Sequence, residues 1–519
     1  MGERALTRVA KGSAYLVASA IITNIISVAA FIVIAHALVP ETMALATITL
    51  FFIAFGQLLT NVGVSTSVVK FISEARAREE DTASFALGAI LGQLSLALCY
   101  SAFLAFFADE LSTWLLGGEA HKHLFYMASL DVVVVGIFIT ATSVLVGLDK
   151  MREVFAARIS SCVVRQGSAV GLILYGLGVV GYVSGWVIGD MAGAIVASIF
   201  TLEALRRSPK GEKSLSWAIR KLWRFSWPIL ITNLANLAFL WFDKLLILFE
   251  VVRGGGAGRG ELGVYDVAMK AYTAITMVPI NISMALFTYY GESYGREDEE
   301  AIRSLTLLAS RYLSLLFIPT AMGLAVLAGP TLMFFAGERY VGGTGVLLIF
   351  GLSGALTALI PMLSYLLITY ERRMTFLAAN IAAIGGSLVL SPITLPSYGL
   401  RLGTALIRGA ANILLLIFYL VATKDIVQID FKAFLKALIG SSIMAGAVYA
   451  FQLFWLDVLL LPAYVSAGVL VYAACIRLMR ALSDEDVLLL SDVFPPKLKK
   501  PMASLIGLLA HGSPRNGEA

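Results

Sequence analysis

The chain has 519 residues, 59% of them hydrophobic and 14% charged, and a formal net charge of +5; its mean hydropathy is +0.86. Soluble domains carry roughly 25% charged and 45–50% apolar residues, so the composition excludes a soluble enzyme and indicates a polytopic membrane protein. The positive charge does not indicate a nucleic-acid partner either, because it falls into alternate loops along the chain.

A spanning helix needs about 20 apolar residues to cross a hydrocarbon core ~30 Å thick. The first apolar run, 12–38, is too long for a signal-peptide core and no small-residue cleavage site follows it, so it is expected to remain as the first span. The next runs are 43–69, 83–107, 123–147, 155–177 and 180–204. A basic connection, Arg206 to Arg224, follows. Its Leu215, Ile219 and Leu222 share one helical face, opposite Arg220, Lys221 and Arg224, which predicts an in-plane amphipathic helix. The remaining runs are 226–251, 262–289, 303–328, 343–369, 374–395, 403–422, 433–453 and 458–479. The expected fold is therefore all-α with about fourteen transmembrane helices. The domains expected are a lobe at 1–205, a cytoplasmic linker at 206–225, a lobe at 226–424, two added helices at 425–480 and a cytoplasmic tail at 481–519.

Lys and Arg accumulate in cytoplasmic loops. With the N-terminus inside, 28 of the basic residues fall in inside segments and five in outside loops, Lys122, Arg253, Arg259, Arg339 and Arg401. Dropping one span would invert everything after it, so the asymmetry supports cytoplasmic N- and C-termini and an even number of spans. Trp114 and Trp455 then fall at the outer face, and Trp217, Trp223 and Trp227 at the inner face, where amphipathic rings settle.

The two halves resemble each other. Ile22-Thr23-Asn24 matches Ile231-Thr232-Asn233, and Val62, Ser67 and Phe71 match Val278, Ser283 and Phe287. The acidic tracts Arg78-Glu79-Glu80-Asp81 and Arg296-Glu297-Asp298-Glu299 follow. Six spans per repeat predicts two parallel six-helix lobes, with a substrate path between them and the last two spans outside the repeat.

Several apparent signatures fail in context. Gly176-x-Gly178-x-x-Gly181 lacks the strand a dinucleotide site requires and forms a turn between spans. Gly254-Gly255-Gly256-Ala257-Gly258 lacks a following Lys-Ser/Thr. The Asn281-Ile282-Ser283 sequon lies inside a span, and Glu119, His121 and His123 are too few for a metal site. Gly185, Gly189 and Gly193 form a small-residue strip for close helix packing. Cys99, Cys162 and Cys475 imply no disulfide framework. Ser483-Asp484-Glu485-Asp486 reads as a helix N-terminus.

Charges within spans are functional candidates, because burial in hydrocarbon costs several kcal/mol unless they are paired or wetted. Arg158 and Arg165 share a face of the fifth span, and Asp190 lies at the depth of Arg165 on the next. Asp243 and Lys244 lie in the seventh span; Asp266 and Lys270, four apart in the eighth, can pair along one face. Asp131, Arg311 and Arg408 complete the set. Cations are in excess, which suits water or an anionic ligand. Asn24 and Asn61 lie on polar faces of the first two spans.

Lys11-Gly12-Ser13, the Asn61-Val62-Gly63-Val64-Ser65-Thr66 that closes the second span, Asp243-Lys244, and Gly263-Val264-Tyr265-Asp266-Val267-Ala268 resemble the polysaccharide (Wzx-type) flippases. These belong to the multidrug/oligosaccharidyl-lipid/polysaccharide exporter superfamily. The resemblance covers residues 5–425 and implies two six-helix lobes, a cationic central cavity and alternating access for a polyprenyl-pyrophosphate-linked oligosaccharide. One departure is Leu38-Val39-Pro40-Glu41-Thr42-Met43-Ala44, where the family often has Leu-Gly-Pro-x-x-Tyr-Gly. The first span also lacks the arginines of the lipid II flippase branch, which weakens a peptidoglycan precursor as cargo.

The expected function is thus a lipid-linked oligosaccharide flippase, a transporter with no catalytic residues, acting as a monomer in the cytoplasmic membrane. Lys244, Lys270, Arg158, Arg165, Asn24 and Asn61 are expected to line the substrate path. Asp190, Asp243 and Asp266 are candidates for coupling to Na+ or H+, with no other cofactor and no metal. A multidrug/cation antiporter of the same superfamily is the first alternative. A membrane glycosyltransferase or glycan polymerase is the second, although its catalytic carboxylates lack a substantial outer loop to carry them.

Overall fold

A computed structural model describes residues 2–206, 215–254, 258–454 and 460–482. Trp455 and the acidic tract at 483–486 therefore lie outside the described residues. Every regular element among those residues is helical. The first half contains α1 (Gly2–Ala37), α2 (Pro40–Asn61), α3 (Val64–Ala77), α4 (Ala83–Phe106), the short α5 (Ala108–Leu111), α6 (Lys122–Gly147), α7 (Met151–Leu172) and α8 (Gly178–Arg206). The second contains α9 (Leu215–Arg253), α10 (Arg259–Gly295), α11 (Glu299–Val326), α12 (Ala328–Ala336), α13 (Thr344–Leu356), α14 (Ile360–Thr369) and α15 (Arg373–Thr423). The chain closes with α16 (Phe431–Phe454) and α17 (Leu461–Leu478).

Among the described residues, 10 helices are long and apolar enough to cross a membrane, or 11 with the bent α10 taken as one span. Fourteen is higher for two reasons. The stretches Met151–Arg206 and Arg373–Thr423 each count once, yet each folds back at a non-helical glycine, Gly176 (φ 97°) or Gly399 (φ 76°). In addition, α9 is not among the counted helices.

Three expected elements differ in form. The second span breaks into α2 and α3 at Val62 and Gly63, both in the left-handed region (φ 46° and 78°). The tenth breaks between α13 and α14, where Pro361 enters the first turn and cannot continue a preceding helix. The amphipathic segment expected to lie in the membrane plane is instead continuous with the seventh span. Leu215–Arg253 is one helix of 39 residues, about 58 Å at 1.5 Å per residue. Part of its apolar face packs on protein: Ala218 and Leu222 are buried with Val64, Phe71 and Phe85, while Leu215 stays exposed. The linker's residues 207–214 lie outside the described ones.

The halves also repeat their backbone irregularities. The break at Val62–Gly63 has its counterpart in a 48° bend of α10 between Met277 and Pro279, where the sequence match pairs Val62 with Val278. Glu79 and Glu297, in the matched acidic tracts, both have positive φ (56° and 57°). Asp149 and Glu371, each opening the turn after a span, do the same (61° and 54°). The hairpin glycines both occur in Tyr-Gly-Leu, at 175–177 and 398–400. Equivalent kinks in equivalent order are what a parallel duplication preserves.

Compactness divides the chain elsewhere than the repeat does. Unit 1 comprises Met1–Val267 with Phe335–Arg339, and unit 2 comprises Ala268–Phe334 with Tyr340–Ala519. In unit 1, α9 joins the first half because its lower part docks on α3 and α4: Ser226 donates to Ser67 Oγ at 2.9 Å. Gly63 there admits Ile229 and Ser226 so closely that a Cβ would lie 2.9–3.0 Å from them.

In unit 2, the two spans outside the repeat are bound to α11. Phe317, Ile318 and Ala321 of that helix bury with Ala437 of α16. Tyr472 of α17 donates to the Leu315 carbonyl at 2.8 Å, and Gln452 of α16 to the Val326 carbonyl at 3.3 Å.

Candidate functional site

Unit 1 holds two buried polar clusters, and each contains residues singled out from the sequence. The first lies where α6, α7 and α8 meet. The glycine strip of α8 brings the backbones of α7 and α8 together: a Cβ on Gly185 would lie 2.5 Å from that of Ala169, and one on Gly193 2.8 Å from that of Ser161. Between them, Gly189 lies against Arg165, whose Cα would be 2.6 Å from a Cβ placed there.

The crossing places Arg165 directly on Asp190, and the two form an ion pair. Ser161 donates to the same carboxylate at 3.3 Å, and the guanidinium stacks 4.3 Å from the Trp186 ring centroid. Asp131 of α6 completes the cluster; it interacts electrostatically with both Asp190 and Arg165. It is fully buried, and neither of its carboxylate oxygens has a hydrogen-bond partner among the described residues, nor does Asp190 Oδ2. Two carboxylates and one guanidinium leave one negative charge in surplus. A buried charge of that kind is neutralised by a proton or a small cation.

The second cluster joins the motifs on which the family resemblance rests. Gly263 brings the start of α10 against the first turn of α2, where a Cβ would lie 2.7 Å from the Pro40 carbonyl carbon. Tyr265 then donates to Asp243 Oδ2 at 2.7 Å, and Asp243 Oδ1 accepts from the Lys244 backbone at 2.9 Å. Asp266 lies 2.5 Å from Lys244 Nζ and accepts from Thr47 of α2 at 2.9 Å. Lys244 also lies 4.5 Å from the Trp241 ring centroid.

The Asp266 carboxylate thus pairs across helices with Lys244. Lys270 is half-buried and belongs to unit 2. Asn61 stitches the α2–α3 break, accepting from the Ser65 backbone at 3.0 Å and its hydroxyl at 2.8 Å. The polar face of α1 is partly used in packing. Ser27 accepts from Gln166 at 3.2 Å, Thr23 donates to the Ser19 carbonyl at 2.7 Å, and Asn24 is half-buried beside them.

The cationic surplus is narrower than the sequence indicates, because Arg311 pairs at 2.8 Å with Asp430, a residue of the loop before α16. Arg158 behaves differently. It is exposed on α7 and has no ion-pair or hydrogen-bond partner among the described residues. Sequence reasoning recognised Asp131 as a charge in a span and gave it no role. Only the packing of three helices reveals its place beside Asp190.

The chain matches the family described as "Polysaccharide biosynthesis protein" over residues 9–292, more than half its length. A curated relative, "Probable multidrug resistance protein NorM" of Bradyrhizobium diazoefficiens, is 27% identical over 152 residues, which is 28% of this chain. The match spans 29% of that relative's own length.

Among solved structures, "Lipid II flippase MurJ, inward closed conformation" superposes with a TM-score of 0.69 at 16% identity, covering 88% of this chain and 96% of the other. An inward-facing multidrug resistance MATE transporter of the MOP superfamily gives 0.58 at 16% identity, covering 81% and 94%. At such identities the likeness concerns the fold. The chain belongs to the polysaccharide biosynthesis protein family, and it has the multi-pass membrane fold shared by MurJ and the MATE transporters of the MOP exporter superfamily.

Proposed function

We propose that this protein is a flippase that moves a polyprenyl-(pyro)phosphate-linked oligosaccharide across the cytoplasmic membrane by alternating access, for cell-surface polysaccharide or glycoprotein assembly. In this reading it acts as a monomer with both termini cytoplasmic, and its halves 1–205 and 226–424 are the moving repeats. Family membership supports a polysaccharide precursor as cargo. The observation that carries the reading is Arg158, a permanent cation exposed on a span-forming helix without a partner among the described residues. Exposure there is costly in hydrocarbon and is relieved by water or by the phosphate of an anionic lipid carrier, which a guanidinium grips in bidentate fashion. Lys270 supplies a second cation, whereas Lys244 and Arg165 serve chiefly to hold Asp266 and Asp190.

The coupling step fits the Asp131–Arg165–Asp190 cluster. Its surplus negative charge takes up a proton or Na+, and release of that cation changes the charge between α6, α7 and α8. Asp243 and Asp266 are less suited, being held by Tyr265, Thr47 and Lys244. The test is complementation of a strain that lacks its own flippase. Arg158→Ala and Lys270→Ala should abolish surface glycan at normal protein levels; undiminished glycan in both would refute the proposed path.

A second reading, a multidrug/cation antiporter, is favoured by the curated relative's name and by the same buried carboxylates. Raised drug tolerance of expressing cells, without restored glycan, would select it.

A further inference from the structure

Away from both clusters, α3 and α9 form a cleft of about 480 Å³ at one end of unit 1, lined by Phe71, Trp217, Arg220, Lys221, Arg224 and Phe225. Its walls are rings and its charges are positive. Lys221 Nζ lies 4.6 Å from the Phe71 ring centroid, 4.9 Å from Trp217 and 5.4 Å from Phe85. Lys70 Nζ lies 4.3 Å from Phe225. Glu74 is within 4.0 Å of Lys70. Among the described residues, no carboxylate pairs with Arg220, Lys221 or Arg224, and both arginines are exposed. The cleft lies at a span terminus, since Phe85 is in the first turn of α4, which begins at Ala83.

We propose that this cleft binds the headgroup of an anionic phospholipid. The phosphate sits between Arg220, Lys221 and Arg224, and the acyl chains run along the aromatic wall. Two guanidinium forks and an ammonium make the charge complement of a phosphodiester. The rings decide for a lipid over a free anion. Inorganic phosphate gains nothing from the exposed Trp217 ring or the half-buried Phe225, whereas a lipid covers them, and exposed Trp223 and Trp227 continue the amphipathic belt along α9. A ring-held lysine also keeps its charge poorly hydrated, which strengthens its attraction to an incoming phosphate. The proposal is independent of the cargo.

The test uses the full chain in detergent, with native mass spectrometry and thermal unfolding as readouts and phosphatidylglycerol, phosphatidylcholine and inorganic phosphate as probes. Phosphatidylglycerol should be retained and should raise the unfolding midpoint, with the other two much weaker. Arg220→Gln/Lys221→Gln/Arg224→Gln should bind phosphatidylglycerol about 100-fold more weakly, as expected for removing three cations from an anionic interface. Arg220→Gln alone and Arg224→Gln alone, both at exposed positions, give smaller losses of the same sign without endangering the fold. Arg220→Lys/Arg224→Lys should retain most binding. Equal affinity of the wild type and the triple variant would overturn the proposal, as would equal binding of phosphatidylcholine. Full displacement by inorganic phosphate would also overturn it and make this a free-anion site.

Discussion

Replacing Gly189 with alanine tests the link between packing and the buried charges. The new Cβ would lie 2.6 Å from Arg165 Cα and 2.8 Å from its backbone nitrogen, where ordinary contact is 3.4–4 Å. The obstacle is backbone, so no rotamer change relieves it, and α7 and α8 must move apart by roughly 1 Å at their crossing. Overpacking of this kind costs about 1–3 kcal/mol. The displacement also pulls Arg165 from Asp190, and breaking a buried pair costs a further ~3–5 kcal/mol at the limit.

Gly167 and Gly171 on α7 provide the control, because a Cβ at either meets nothing within 4 Å. There, glycine to alanine within a helix should stabilise by about 0.5–1 kcal/mol. Thermal unfolding of the purified protein should therefore place Gly189→Ala clearly below the wild type and Gly167→Ala at or above it. Equal midpoints for the two variants would refute the account of the α7–α8 crossing.

Asp131→Asn preserves shape and removes no hydrogen bond, so its stability should stay within about 1 kcal/mol of the wild type. Asp190→Asn strands Arg165 and should cost ~3–5 kcal/mol; a matched loss for both in unfolding experiments would contradict the roles given to them. In the loop before α16, burial pushes the Asp430 carboxyl up, but the Ala433 backbone N–H and the Arg311 guanidinium outweigh it and hold it below its ordinary value. A depressed carboxylate adds stability above its unfolded pKa of about 3.9. That contribution is lost as pH falls through the lower folded value, so midpoints from pH 5 to 3 should drop more for the wild type than for Asp430→Asn. Gly399→Ala forces a side chain into φ 76°, ψ 170°, which should cost about 1–3 kcal/mol, measured as a lowered midpoint.

Much of the fold was legible because a bilayer constrains sequence so strongly. Apolar runs of span length, separated by basic loops, located nearly every helix. The breaks were less visible: Val62-Gly63 lies inside a continuous apolar run, and only tertiary contact with Ile229 and Ser226 explains the left-handed turn there. The continuity of the amphipathic segment with the seventh span was not visible, because amphipathicity records an apolar face without recording what packs on it. Part of that face, at Leu222, packs in the cluster of Phe71 and Phe85.

At the site, equal depth on neighbouring spans was enough to anticipate Arg165–Asp190. Lys244 as a partner of Asp266 was not legible, because the two lie on different helices, α9 and α10, and spacing reports only contacts along one helix. Asp430 escaped notice as the partner of Arg311 because it lies 119 residues away in a loop.

The central claim is translocation of a lipid-linked oligosaccharide, and proteoliposomes test it most directly. The purified protein is reconstituted with a fluorescent polyprenyl-pyrophosphate oligosaccharide in one leaflet, and its appearance in the other is followed by a membrane-impermeant quencher. Flipping by the wild type that is lost in Arg158→Ala is the predicted result. A rate no higher than that of protein-free vesicles, with uptake of a cationic drug in the same vesicles, would contradict it.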